Sequence, residues 1–190
     1  MTFLPGLKKP KSRKRGLTIT ISGPSGSGKS FVAVSMAKAF SLKNVSTGQI
    51  FRQLAAESGK PLEAFLKGSA KRIHLAADQR AANFAAKGGY VLDGRLTAWA
   101  AGDSANFRIF LTAPLAIRAK RISLRDRIPL AVAKRRVANR DKIDVTNFKR
   151  VYGLDSRDLS IYHLVLDTSL FDAKETSRTV LKVLKAALKN

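Results

Sequence analysis

Eight consecutive residues, Gly23-Pro24-Ser25-Gly26-Ser27-Gly28-Lys29-Ser30, constrain this chain more than anything else in it. They fit the pattern G-x-x-x-x-G-K-[ST], follow the β-branched run Leu17-Thr-Ile-Thr-Ile21, and open a stretch from Ser30 to Phe40 that contains no Pro or Gly. Strand, glycine-rich turn and helix N-terminus in that order form a cradle for a polyphosphate. Gly23, Gly26 and Gly28 let backbone N–H groups turn inward, helped by the small Ser25 and Ser27, and the helix end adds partial positive charge. Lys29 then supplies a mobile cation to the β- and γ-phosphates, and the Ser30 hydroxyl is placed to ligate Mg²⁺. The competing reading, a chance glycine-rich turn, has eight matched positions in the right context against it.

The rest of the chain alternates short apolar runs with helical patterns. Further strands are predicted over Lys43–Ser46, Tyr90–Leu92, Phe107–Leu111 and Leu164–Leu166. Helices are predicted over 49–57, 61–67, 71–87, 115–124, 129–150 and 173–188, with Gly88-Gly89 ending the third. That alternation implies an α/β three-layer sandwich around a parallel sheet, with ligands beyond the carboxyl ends of the strands. One domain over 17–190 is expected, with helical excursions over about 49–87 and 118–154. Residues 1–16, with Lys8, Lys9, Lys11, Arg13, Lys14 and Arg15 among Pro and Gly, read as a flexible tail with little to bury, either a solubilising segment or a nucleic-acid arm.

Two later strand ends carry chemistry. In Val45-Ser46-Thr47-Gly48-Gln49-Ile50-Phe51-Arg52, the small Ser46 and Gly48 allow close approach of a ligand, and Arg52 on the following helix can fork onto a phosphate. Leu92-Asp93-Gly94-Arg95 ends the third strand. An acid there is costly unless it meets a cation or donors, and holding Mg²⁺ supplies a reason. The alternative is an Asp that caps the next helix. Arg95 can aim a bidentate donor at the substrate. In the basic stretch from Arg118 to Arg150 most cations, Arg118 among them, are expected to be solvated. Arg136 and Arg140, four apart on one helix face, are the candidates to close over the transferring group, with Arg121 next, beside the donor nucleotide.

Composition excludes several classes. The chain has no Cys and only His74 and His163, so disulfides, thiolate metal sites, cysteine nucleophiles and multi-histidine clusters are ruled out. Its 36 Lys+Arg against 13 Asp+Glu leave +23, which favours anionic partners such as nucleotides and RNA. No apolar run reaches transmembrane length and no h-region follows the basic N-terminus, so the chain reads as soluble and cytoplasmic, without a membrane partner.

From Leu17 to Leu188 the chain resembles the nucleoside monophosphate kinases, most closely the archaeal-type cytidylate kinases. The resemblance rests on Ile21–Lys29, Ser46–Arg52, Asp93-Gly-Arg-Leu-Thr-Ala-Trp99, Val151-Tyr-Gly-Leu-Asp155, Asp158-Leu-Ser-Ile-Tyr162 and Asp167-Thr-Ser169. It implies a P-loop fold with a five-stranded parallel sheet, NMP-binding and lid helices, and Mg-ATP-dependent phosphorylation of CMP and dCMP. The residues matching Arg52 and Arg95 would hold the acceptor phosphate and the pyrimidine nucleotide, and Ser46 would lie beside the acceptor. Three positions depart from the pattern: Gln49 stands for an acid, Asn147 for the second lid arginine, and His163 for an acid after Ile161-Tyr162. Alternatives are another small P-loop kinase, for adenylate or UMP, and an RNA- or ribosome-associated P-loop protein.

Overall fold

The computed structural model describes residues 4–8, 16–62, 64–65, 71–155 and 157–189. Five parallel strands, β1 (Thr18–Ser22), β2 (Lys43–Ser46), β3 (Tyr90–Gly94), β4 (Phe107–Thr112) and β5 (Leu164–Asp167), form one sheet in the order β2-β3-β1-β4-β5. The helices are α1 (Lys29–Ala39), α2 (Thr47–Glu57), α3 (Lys71–Lys87), α4 (Thr97–Ala101), α5 (Leu115–Asp126), α6 (Leu130–Tyr152) and α7 (Ala173–Ala187).

The central strand β1 is buried on both faces, and its alternation decides what packs on each. Ile19 and Ile21 point to one layer, where Val32, Ala33 and Met36 of α1 meet Val180 and Leu184 of α7. Thr18 and Ser22 serve the other layer and satisfy their hydroxyls there: Thr18 Oγ1 donates to the Ala85 carbonyl of α3, and Ser22 Oγ pairs with Thr97 Oγ1 of α4 at 3.1 Å. Helix α7 is fixed at its start by a capping box, with Asp172 accepting from the Glu175 N–H and Glu175 accepting from the Asp172 N–H.

The α/β class, the five strands and the three layers match expectation. The helix over 61–67 lies partly outside the described residues. Helix α4 was not foreseen, since five residues are too few to display a helical period. Helix α2 begins at Thr47, directly off β2, and α6 runs on to Tyr152. The N-terminal segment corrects the expectation that it has little to bury. Leu4 is only 1% exposed, packed with Ala81 of α3, Leu96, Trp99 and Ala100 around α4, and Val151 and Tyr152 of α6. The Lys8 N–H donates to Gln79 Oε1 while Gln79 Nε2 donates to the Lys8 carbonyl, a reciprocal pair that ties the segment to α3. The Lys9–Arg15 run lies outside the described residues. His163, one of the departures, sits beside Arg108 and edge-on to Phe107, near the amino end of β4 and so away from the strand ends that form the site.

Candidate active site

Register places the motifs. Ser22 pairs with Gly94 and Ser46 with Asp93, so the ends of β1, β2 and β3 deliver the glycine-rich turn, Asp93-Gly94-Arg95 and Ser46-Thr47-Gly48 to one edge of the sheet. The turn depends on glycine at two positions where backbone crowds the inner side. Gly23 and Gly26 have φ of 148° and 80°, and a Cβ on them would lie 2.1 Å from the Leu111 carbonyl oxygen and 2.6 Å from the Arg118 carbonyl oxygen. Gly94 is required differently: a Cβ there would lie 2.0 Å from Thr47 Oγ1, which itself donates to the Asp93 carbonyl and locks β2 to β3.

At the mouth of the turn, Ser30 Oγ donates to Asp93 Oδ2 at 2.8 Å. Asp93 is 1% exposed, and its other oxygen, Oδ1, is buried without a hydrogen-bond partner. A buried carboxylate oxygen left over beside a serine hydroxyl is a hard-oxygen donor set suited to Mg²⁺, so these residues fit that ion. Among the described residues no group of three His, Cys, Asp or Glu is arranged around a metal. Lys29 Nζ donates to the Pro24 carbonyl across the turn at 3.1 Å. Burial, and then the neighbouring Arg95 guanidinium, push the Lys29 ammonium down to about 7.

Arg95 connects the turn to α6. One of its nitrogens donates to Ser25 Oγ at 2.7 Å and another is paired with Asp144 at 2.5 Å. Asp144 also accepts from Arg140 Nε at 3.1 Å, and Arg118 reaches from the Ala113 and Ser25 carbonyls to Asp141 at 2.8 Å. Three arginines from α4's approach, α5 and α6 are thus held beside the turn by two acids one helical turn apart. Asp141 and Asp144 had no role in the sequence reading, and Arg118, read there as solvated, is 7% exposed. The available signal was the i,i+3 spacing of the two acids inside a basic helix.

The remaining sequence-predicted residues divide. Ser46, Gly48 and Arg52 are brought together: the Arg52 guanidinium folds back to 3.4 Å from where a Gly48 Cβ would stand, and Arg52 is solvent-exposed. Arg121 spans the turn and the segment after β5, donating to the carbonyls of Gly26, Thr168 and Phe171 and to Thr168 Oγ1, so it braces the rim. Arg136 and Arg140 stand one turn apart on α6: Arg136 is exposed and its charge acts on Asp126 of α5, while Arg140 turns to Asp144. Asn147 is buried and accepts from Arg150 at 2.9 Å. His74 of α3 packs at a tilt against Phe51, and burial and then Arg150 lower its pKa, which favours the neutral ring.

A family model described as an AAA domain matches residues 22–147. The cytidylate kinase of Aeropyrum pernix is 40% identical over 164 residues, 85% of this chain and 95% of the relative. That of Staphylothermus marinus is 38% identical over 175 residues, 91% of this chain and 99% of the relative. Among solved structures, the shikimate kinase from Acinetobacter baumannii in complex with shikimate aligns with a TM-score of 0.60 at 12% identity, over 91% of this chain and 95% of that one, a likeness of fold alone. A phosphate-binding turn, an Asp93–Ser30 pair at its mouth and this level of identity along nearly the whole length of those relatives lead to one conclusion: the chain belongs to the cytidylate kinase family, the nucleoside monophosphate kinases that it resembled on sequence.

Proposed function

We propose that the chain transfers the γ-phosphoryl group of Mg-ATP to CMP or dCMP, giving CDP or dCDP. The observation that carries the reading is Arg95, which touches Ser25 of the phosphate-binding turn and Asp144 of α6 at once, and so stands between a donor site and a closing element. The backbone of Gly23, Ser25, Gly26, Ser27 and Gly28 would cradle the donor phosphates, with Lys29 set against the β- and γ-oxygens and Arg121 bracing the rim. Ser30 and Asp93 would hold Mg²⁺, which when bound neutralises phosphate charge. Arg52, with Ser46 and Gly48 at its side, would bind the acceptor phosphate, and Arg95 would orient the pyrimidine nucleotide. Arg140 would close over the transferring group, with exposed Arg136 outside that group until α6 moves. Catalysis is then positioning and electrostatics, without a covalent protein intermediate.

In this reading the α2–α3 excursion receives the acceptor and α5–α6 is the lid. No helix among the described residues is long and apolar enough to cross a membrane, and a cytoplasmic place with freely diffusing substrates suits the activity. The test is NDP formation with Mg-ATP across CMP, dCMP, UMP, AMP and GMP. CMP and dCMP should give kcat/KM values at least tenfold above AMP and GMP. A preference for AMP, or for UMP over both cytidylates, would reassign the acceptor.

A further inference from the structure

Helix α6 sorts its charges by face. Both of its acids, Asp141 and Asp144, turn toward the site and are paired with Arg118, Arg95 and Arg140. Its apolar positions Ala133, Val137 and Val151 are buried. Lys134, Arg135, Lys142 and Lys149 are exposed, and no acid of α6 stands at i,i+3 or i,i+4 from any of them. Arg135, Lys142 and Lys149 recur every seven residues, so they stay nearly on one line of the helix, about 10 Å apart by the α-helical rise. Between them stand small or short residues, Ala138, Asn139 and Thr146, and a shallow depression of about 450 Å³ opens at Arg135, Arg136, Ala138, Asn139 and Lys142.

We propose that this outward face of α6 is a docking surface for the phosphodiester backbone of nucleic acid, bound without regard to base sequence. A line of evenly spaced cations flanked by small residues suits a polymer that carries one phosphate per residue and can lie close along the helix. A lipid surface fits less well. An interfacial helix presents a broad apolar face to the bilayer, and here most of the apolar face is buried, leaving Leu130 and Val145, 53% and 52% exposed, as two contacts fifteen residues apart. The surface is separate from the acceptor cleft, since the same helix presents Arg140 and Asp144 to the opposite side.

The test uses the intact chain with fluorescent single-stranded RNA, single-stranded DNA and duplex DNA of equal length at several salt concentrations, in the presence of saturating CMP and ADP. The substitutions Arg135→Gln, Lys142→Gln and Lys149→Gln together should weaken binding more than tenfold at low salt. They should also reduce the slope of log K against log salt for single strands by about two, at about 0.7 per lost contact. A control removes the same net charge elsewhere, through Lys38→Gln, Lys182→Gln and Lys185→Gln on exposed positions of α1 and α7. It should keep most of the binding, and both variants should keep CMP turnover, which also reports that they fold. Equal losses in the two variants would mean diffuse attraction by net charge and overturn the proposal. So would loss of binding on adding CMP and ADP, binding to phosphatidylserine vesicles in preference to RNA, or a full transfer of the effect to a variant with Lys9, Lys11, Arg13, Lys14 and Arg15 replaced by Gln.

Discussion

Lys29 is held against the Pro24 carbonyl in surroundings that bring its pKa to about 7. Polyphosphate charge beside it would raise that value, so nucleotide binding should take up protons above pH 7. The sign follows directly: the protonated ammonium is the binding form, so ATP affinity should fall as pH rises from 7 to 9. Calorimetry in buffers of different ionisation enthalpy should show uptake of a fraction of a proton at pH 8, lost in Lys29→Met. The two arginines proposed for the acceptor separate by kinetics. Arg52→Ala should raise KM for every nucleoside monophosphate by about tenfold or more, the effect of one charge-assisted contact worth about 1.5–3 kcal/mol. Arg95→Ala should lower kcat as well, because it also frees Ser25 and Asp144, and should hurt CMP more than AMP; equal losses would make it a phosphate clamp only. The placement of these residues was legible because it rests on local chemistry, glycines at a tight turn and a polar residue ending a buried strand. Asp141, Asp144 and Arg118 were not, because acids and arginines in a basic helix look solvated until the packing of α6 against α5 puts them beside the turn.

At the level of elements, the N-terminal segment is the clearest departure from the sequence reading. One leucine among Pro, Gly and Lys has no period to declare itself, and its burial depends on three helices distant in the chain. Leu4→Ala should therefore destabilise by about 2–4 kcal/mol, as other buried leucines do. In a chain of this size that lowers the Tm by roughly 5–15 °C. An unchanged Tm would return residues 4–8 to the status of a loose tail. The same cluster contains a buried polar pair, in which Tyr152 of α6 donates to Asp78 of α3. Burial raises Asp78 to about 6 despite that hydrogen bond. The folded state then holds the proton more tightly than the unfolded chain. The contribution is full below the ordinary carboxylate pKa and is lost as pH rises through about 6, a difference of about 3 kcal/mol. Asp78→Asn keeps an acceptor for Tyr152 and should raise stability at pH 8 while flattening the dependence between pH 4 and 6, as followed by urea unfolding.

Taken whole, the molecule is a sheet whose central strand delivers the phosphate-binding turn, with α2 and α3 on one flank and a charged helix over the other. The order of strands and helices was readable because buried parallel strands are short continuous apolar runs between glycine punctuation, as at Gly88-Gly89. How α6 lies across the strand ends was not, since nothing local specifies a tertiary crossing. The central claim is transfer from ATP to a cytidylate at the turn centred on Lys29. The direct measurement is single-turnover transfer of γ-labelled phosphate from ATP in the presence of CMP, for the intact chain and for Lys29→Ala checked for fold by circular dichroism. Label should appear in the β-phosphate of CDP with the intact chain and be lost with Lys29→Ala. Release of label as inorganic phosphate with no labelled CDP, or equal transfer by a folded Lys29→Ala protein, would contradict it.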